Sequence, residues 1–369
     1  MRIVLEDGFA MEKGAGIGQY TRNLLCQLKK RPEICDILLI EKPFLNKILP
    51  RALRRAVYIT WLNSYLQLFL RRNRVDIIHF TNYLVPILRL ANAKYVVTIH
   101  DLTAWRFPET LPKTYVFYIK WAISHAVKTV DLILTVSEAL KREIVDLFEI
   151  ENQKIRVIYN GVAENFWELP KRSSDERGVV QEKFGIKKDF LLFVGTLEER
   201  KNIMTLVKAF EIIRNYKNLQ LVLVGRPGYG FSRLSQYLDE HHLKGDVVLT
   251  GYVSEEEKIA LYDSASVFIY PSIYEGFGIP LVEAMVRQVP IVASRIPAIE
   301  EVAGEAAVYY DDLYDHEALA KEILRVLENE SLRDDMVRKG FQQAQKFSWE
   351  KIGKQYLEAC QELIRADQR

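Results

Sequence analysis

Three cysteines are few for a chain of 369 residues, and Cys26, Cys35 and Cys360 form no C-x-x-C pair. An odd, widely spaced set argues against a disulfide framework and for reduced thiols, in the core or at the surface of a cytoplasmic protein. No two aspartates are separated by a single residue and no His/Cys cluster has ligand spacing, so no metal site is read from the chain. Apolar runs are short. Residues 56–70 carry no charge, but Asn63, Ser64 and Gln67 interrupt them, and a bilayer span takes roughly 20 apolar residues. The N-terminus, charged at Arg2, Glu6 and Asp7, reads as a strand and lacks the basic start and long apolar stretch of a signal peptide. No internal repeat, low-complexity tract or nucleic-acid recognition motif stands out, so nucleic acid is not expected as a partner.

Against these absences, 49% of residues are hydrophobic and 27% charged, the balance of a globular protein. The length suggests two domains. The net charge of +2 hides an asymmetry: residues 1–165 hold 24 basic against 16 acidic side chains, the remainder 27 against 33. Apolar β-rich runs at 2–6, 36–40, 76–80, 94–99, 131–136 and 155–158 alternate with helical spacing at 18–30, 50–72, 113–128 and 138–148. The polar segment 164–178 reads as a linker. Alternation then resumes, with strands at 190–195, 220–225, 247–250, 267–270, 290–293 and 307–309. The expected architecture is therefore α/β, with two doubly wound parallel-sheet domains of Rossmann type, 1–165 and 166–348, facing a cleft. The last helix, 349–369, is expected to cross back to the first domain.

The most informative segment runs from Tyr270 to Glu283, YPSIYEGFGIPLVE. It reads as a strand end, a glycine-rich loop and a helix opening at Ile279-Pro280, where proline suits the first turn. Gly276 and Gly278 let the backbone approach a ligand, and free N–H groups at the helix start suit a diphosphate or a sugar oxygen. Glu275 and Glu283 can hydrogen-bond two different sets of hydroxyls on one ligand. Taken alone, the same pattern also fits a capped helix with a solvated acid in its first turn.

Glu275-Gly-Phe-Gly-Ile-Pro-Leu-Val-Glu283 resembles the E-x7-E motif of retaining glycosyltransferases of family 4. The resemblance continues in order through GAGIGQYTRNLL, TIHDL, VGTLEERKN, LVGRPG and TGYVSEEEKIALYDSASVFIYPS, covering almost the whole chain. Within the family it is most similar to a bacterial mannosyltransferase-like branch that builds O-antigen and other surface polysaccharides. It implies the GT-B fold and transfer of a hexose from a nucleotide-sugar, first mannose from GDP-mannose, to a glycan or lipid-linked acceptor. It also implies front-side attack without metal or other cofactor, the departing phosphate taking the acceptor's proton. Glu275 would stabilise positive charge on the donor sugar, and Glu283 would bind the ribose hydroxyls. The loop Gly276-Phe277-Gly278 with Ile279 would face the donor. Arg200 and Lys201 would clamp the diphosphate. Family members often carry an arginine directly after Val-Gly; Thr196 stands there, and Arg200 is expected to supply that charge. Gly16 and Gly18 would let the first domain's backbone approach the phosphates, and Val253 would contact the nucleobase through its main chain. His100, ending the run YVVTI, would sit beside the donor sugar and help position the acceptor. His79 ends a strand without a matching motif and reads as structural.

Residues 50–74 hold a basic, aromatic-rich stretch with Tyr58, Trp61, Tyr65 and Phe69. It reads equally as a helix lying on an anionic membrane surface, which would make the protein peripheral at the inner face, or as a core helix with solvated ends. Four alternatives share the pattern. Gly14-Ala15-Gly16-Ile17-Gly18 suggests a dinucleotide oxidoreductase, but position 19 is Gln and the glycines start well past the strand. A nucleotide-sugar epimerase or phosphorylase is disfavoured by Glu275 and Glu283 with Arg200-Lys201. A UDP-sugar-dependent transferase, and a non-catalytic nucleotide-sugar-binding relative, stay open.

Overall fold

The computed structural model describes residues 1–7, 16–32, 34, 36–41, 51–168 and 174–366. Within them the chain forms two compact units. The first comprises Met1–Trp105, Pro112–Gly161 and Trp349–Arg369; the second comprises Arg106–Leu111 and Val162–Ser348. The division thus falls at Gly161, four residues before the boundary read from the sequence, and one short segment of the first half packs with the second.

In the first unit, β1 (Arg2–Asp7), β2 (Asp36–Glu41), β3 (Ile77–Phe80), β4 (Lys94–Ile99), β5 (Leu132–Thr135) and β6 (Ile155–Val157) make one sheet in the order β2-β1-β3-β4-β5-β6. Every pair is parallel. β3 and β5 are buried at each position because helices cover both faces, which is why they read as continuous apolar runs instead of alternating ones. One core cluster joins Ile3, Leu5, Leu24 and Leu28 to Ile352 and Tyr356, so helix Trp349–Ala366 packs beside helix Gly16–Lys29. Gly161 is tied to that packing: a Cβ there would lie 2.8 Å from the Trp349 ring.

In the second unit, β7 (Phe190–Val194), β8 (Gln220–Val224), β9 (Val247–Gly251), β10 (Val267–Tyr270), β11 (Ile291–Ser294) and β12 (Ala307–Tyr310) form a second parallel sheet, ordered β12-β11-β10-β7-β8-β9. Both sheets are doubly wound. The strand order reverses between β1 and β3 in one and between β7 and β10 in the other, the places where open α/β sheets bind ligands. At the end of β8, Gly225 (φ +150) lies so close to β7 that a Cβ would fall 1.8 Å from the Gly195 carbonyl oxygen. Only glycine lets these strand ends approach.

Two sequence expectations change. The single helix over 50–72 is broken: residues Arg51–Asn63 and Tyr65–Arg72 form separate helices. The Asn63 amide donates to the Ile59 carbonyl at 2.8 Å and the Ser64 hydroxyl to the Thr60 carbonyl at 2.7 Å. These side chains compete with the backbone for the same acceptors and end the first helix. Tyr58, which the membrane-surface reading of this stretch would place on the lipid face, is buried and donates its hydroxyl to Glu6, as the core reading has it. The described residues of the linker 164–178 are helical, in helices Glu164–Glu168 and Ser174–Phe184, and residues 169–173 lie outside the described ones. Phe166 anchors the first of them: it is 1% exposed, packs 6.1 Å from Tyr262, and its carbonyl accepts from Arg287 at 3.0 Å. No helix among the described residues is long and apolar enough to cross a membrane.

Candidate active site

A dense polar cluster of the second unit lies where β7 and β10 end side by side, at the reversal of strand order. The chain leaves β7 through Gly195 and a single 3-10 turn, Glu199–Lys201, then enters helix Ile203–Ile213 at Asn202, which adopts φ +54. The Ile273 N–H donates to the Arg200 carbonyl at 3.0 Å and joins this loop to the one after β10.

Glu275 is the centre of the cluster. Lys201 Nζ pairs with its Oε1, and Arg200 Nη1 lies 3.3 Å from its Oε2. The Tyr270 hydroxyl donates to Oε1 at 2.8 Å, and Lys201 Nζ also reaches that hydroxyl at 3.3 Å. Arg200 is further held by Glu198 Oε1 at 2.6 Å and by the Tyr274 carbonyl at 2.9 Å. The Glu275 side chain is only 8% exposed. Burial alone would raise its pKa, but the Lys201 and Arg200 charges outweigh it and bring it down to about 2. Burial lowers the pKa of Lys201, with Glu275 opposing. Burial, then the Glu275 charge, pushes the Tyr270 phenol well above its ordinary value. The result is a fixed anion among fixed donors, held by two cations 74 and 75 positions away in sequence and by Tyr270 five positions away.

Glu283 forms a second node. It sits in helix Ile279–Val286, 3% exposed, with Lys258 Nζ 2.6 Å from Oε1 and the Tyr262 hydroxyl donating to Oε2 at 3.0 Å. Lys258 and Tyr262 come from one face of helix Glu255–Ser264, whose start is fixed by a capping box between Ser254 and Glu257. Burial tends to lower the Lys258 pKa, but the Glu283 carboxylate overrides it and raises the value. Each Glu283 oxygen keeps a lone pair for another donor.

The loop between the nodes is shaped by Gly278, whose φ of +104 opens the helix and whose Cβ would meet Leu281 at 3.0 Å. Phe277 points into the core, 3% exposed and edge-on to Phe347 at 5.4 Å, so its side chain is structural. Gly276 is buried, and Ile279 and Pro280 at the helix start are half-buried. Val253, two residues past β9, is 7% exposed, while its neighbour Tyr252 lies open beneath the Arg226 guanidinium at 4.8 Å. Among the described residues no group of three or more His, Cys, Asp or Glu is placed to hold a metal ion.

In the first unit, His100 follows β4 and is half-buried, edge-on to Tyr20 at 5.0 Å. Its Nε2 lies 3.0 Å from the Thr81 carbonyl oxygen. A carbonyl can only accept, so Nε2 carries the proton and Nδ1 is left with the lone pair. Burial lowers the His100 pKa, with the Thr81 carbonyl and Asp101 opposing, so the neutral ring persists below the usual range. His79 is fully buried, bonded through Nε2 to Thr98 at 2.7 Å and stacked on Tyr356 at 5.3 Å. Burial, then His100, takes its pKa down to about 3, as fits a core residue. Helix Gly16–Lys29 begins at the exposed Gly16, with Gly18 buried two residues in. The preceding loop, including Gly14, lies outside the described residues.

Sequence reasoning did not single out Tyr270, Lys258, Tyr262 or Glu198. The four-residue spacing of Lys258 and Tyr262 marks a shared helix face, but their partner lies 25 and 21 residues on, and only the fold brings it there.

The chain resembles known proteins in both halves. Residues 15–166 match the family described as Glycosyltransferase Family 4, and residues 176–343 match Glycosyl transferases group 1. The O-antigen chain mannosyltransferase B of Escherichia coli is 32% identical over 292 residues, covering 79% of this chain and 75% of that protein. The O-antigen chain mannosyltransferase RfbU of Salmonella typhimurium is 30% identical over 253 residues, 69% of this chain and 65% of the relative. The fold resembles the crystal structure of Anabaena Alr3699/HepE in complex with UDP-glucose, with a TM-score of 0.76 at 17% identity over 98% of this chain and 100% of that one.

Proposed function

Because the chain belongs to the family 4 glycosyltransferases of GT-B fold, we propose that it transfers a hexose, with retention, from a nucleotide-diphosphate sugar to a glycan or lipid-linked acceptor. Mannose from GDP-mannose is the favoured donor, in keeping with the mannosyltransferase relatives. The observation that carries the reading is Glu275, an anion held at a strand-order reversal by Lys201, Arg200 and Tyr270.

The chemistry follows from these residues. As the glycosidic bond breaks, positive charge grows on the sugar and negative charge on the departing diphosphate. The Glu275 carboxylate stabilises the former and accepts hydrogen bonds from sugar hydroxyls. Lys201 and Arg200 set positive charge beside the diphosphate, together with the Ile279 N–H at the start of helix Ile279–Val286, where Pro280 has no N–H and that of Leu281 donates to the Gly278 carbonyl at 3.0 Å. Cations and backbone donors here take the part that a metal plays elsewhere. Glu283, oriented by Lys258 and Tyr262, accepts from the ribose hydroxyls, and the main chain at Val253 lies beside the base. The Nδ1 lone pair of His100 accepts from a hydroxyl of the donor sugar or the acceptor. A carboxyl with a pKa of about 2 is a poor base. That supports front-side attack in which the departing phosphate takes the acceptor's proton, leaving the protein to position and to stabilise charge. UDP-sugar use is the second reading, prompted by the UDP-glucose complex of the Anabaena protein.

Thermal shift of the purified protein with GDP, UDP and ADP, with and without EDTA, tests this. A ligand at 100 times its dissociation constant adds about 2.7 kcal/mol to the folded state. Stabilisation by GDP alone, unchanged by EDTA and lost in Glu283→Ala, together with mannose transfer from GDP-mannose, is the expected outcome. A response to UDP alone moves the donor to the second reading. Binding without transfer to any glycan acceptor would leave a nucleotide-sugar-binding protein and refute the enzymatic reading.

A further inference from the structure

β8 and β9 end side by side. The Gly225 N–H donates to the Gly251 carbonyl at 3.0 Å, so the residues that follow these two glycines leave adjacent strand ends. Those residues are Arg226 and Tyr252. Tyr252 is 59% exposed, and the Arg226 guanidinium carbon lies 4.8 Å from its ring centroid. The backbone beneath both is fixed: the Arg226 carbonyl accepts from the Leu197 N–H at 2.9 Å, and Val253, next after Tyr252, is buried. The Tyr252 phenol is close enough to Lys258 to help raise that side chain's pKa, which puts the pair beside the Glu283 node.

Neighbouring polar side chains are engaged. The Thr250 hydroxyl donates to the Gly251 carbonyl at 3.1 Å, Glu255 Oε2 accepts from Asn165 at 2.9 Å, and Lys258 holds Glu283. Arg200 and Arg233 are paired with Glu198 and Glu199. Arg226 has no carboxylate partner among the described residues. A cation–π contact restrains a guanidinium while leaving its N–H donors available for hydrogen bonds.

We propose that Arg226 selects the base of the donor, that Tyr252 positions Arg226, and that the base selected is guanine. This rests on the transferase reading above, with the base beside the Val253 main chain. Two N–H groups of the guanidinium fork fit the O6 and N7 acceptors of guanine, the pairing that arginine makes most readily with a base. Adenine turns an amino donor towards the same cation, and uracil offers a single acceptor, O4, with a C–H beside it.

Isothermal titration calorimetry of the full chain with nucleoside diphosphates tests it. Wild type should bind GDP about tenfold or more tightly than ADP, UDP or 7-deaza-GDP, in which a C–H replaces N7. Arg226→Met should weaken GDP binding by about tenfold to a hundredfold and leave the affinities for ADP and UDP close to wild type. Arg226→Lys should not restore GDP binding, because an ammonium lacks the fork that spans two acceptors. Tyr252→Ala should weaken GDP binding about two- to fivefold, and Tyr252→Phe should leave it unchanged. Both positions are exposed, so circular dichroism and melting without ligand should match wild type. Equal loss of GDP, ADP and UDP in Arg226→Met would make the residue a phosphate contact and overturn the proposal. So would full recovery in Arg226→Lys, an unaffected Tyr252→Ala, 7-deaza-GDP binding as tightly as GDP, or a preference of wild type for UDP, each with the transferase reading intact. Binding of no nucleoside diphosphate by wild type would instead refute that reading, and the base assignment with it.

Discussion

Glu275→Gln keeps the shape of the central side chain and removes its charge. In the folded protein the carboxyl sits at about 2, against an ordinary 4.5, because two cations outweigh the cost of burial. A carboxyl with a depressed folded pKa stabilises the fold above the unfolded pKa, and that stability is lost as pH falls from about 4.5 towards about 2. The gap is worth on the order of 3 kcal/mol. The same figure comes from the other direction: removing one partner of a buried ion pair costs roughly 3–5 kcal/mol, because Lys201 stays buried without its counter-charge. For a unit of this size each kcal/mol moves the melting temperature by roughly 2–4 °C, so the variant should melt roughly 6–12 °C lower at pH 7. Scanning calorimetry of wild type and variant between pH 3 and 8 provides the assay. The difference should be flat from pH 6 to 8 and shrink to about half by pH 3. A difference below about 1 °C at pH 7, or one that persists undiminished at pH 3, would show that the cluster does not hold Glu275 as an anion. In kinetics the same substitution should lower kcat by about 10²–10³, the scale seen when one transition-state electrostatic contact is removed.

Other expectations follow from single contacts. Tyr270→Phe removes one donor to Glu275; it should cost about 0.5–1.5 kcal/mol by chemical denaturation and lower kcat more than it raises KM. Gly225→Ala places a methyl group 1.8 Å from the Gly195 carbonyl oxygen at φ +150, so thermal melting should show the second unit destabilised by about 3 kcal/mol or more. His100→Ala should depress kcat/KM, and His100→Gln should recover part of it by supplying an acceptor. Because burial lowers the His100 pKa, the neutral acceptor form survives below pH 6.5, so the acid limb of the wild-type pH–rate profile should fall below that value; a limb above it would contradict the assignment. Lys258→Met should weaken nucleotide binding by calorimetry at least as much as it changes stability, because Lys258 orients Glu283.

Most strands were legible, because fully covered parallel strands leave continuous apolar runs such as those of β3, β5 and β10. The glycine loop and the helix start at Ile279 were legible too, since their residue types report backbone conformation directly. Contacts between distant positions were not. Nothing in the order of residues says that Lys201 and Arg200 turn to Glu275, 74 and 75 positions on, or that Lys258 and Tyr262 meet Glu283. Helical periodicity over 50–72 counted apolar faces and missed the side chains of Asn63 and Ser64, which take carbonyls from the helix they belong to. The polar composition of 164–178 concealed one anchor, Phe166, that suffices to dock a helical turn.

The packing of helix Trp349–Ala366 beside helix Gly16–Lys29 has a consequence for biosynthesis. A ribosome delivers the six strands of the first sheet early, yet the side chains that close one face of that sheet, Ile352 and Tyr356 among them, emerge only after the whole second unit. The unit translated first therefore completes its core last. Until then the face of helix Gly16–Lys29 that packs on helix Trp349–Ala366 is uncovered and exposed to aggregation. A stalled or truncated chain ending near Ser348 should consequently be a chaperone client, although its second unit is complete.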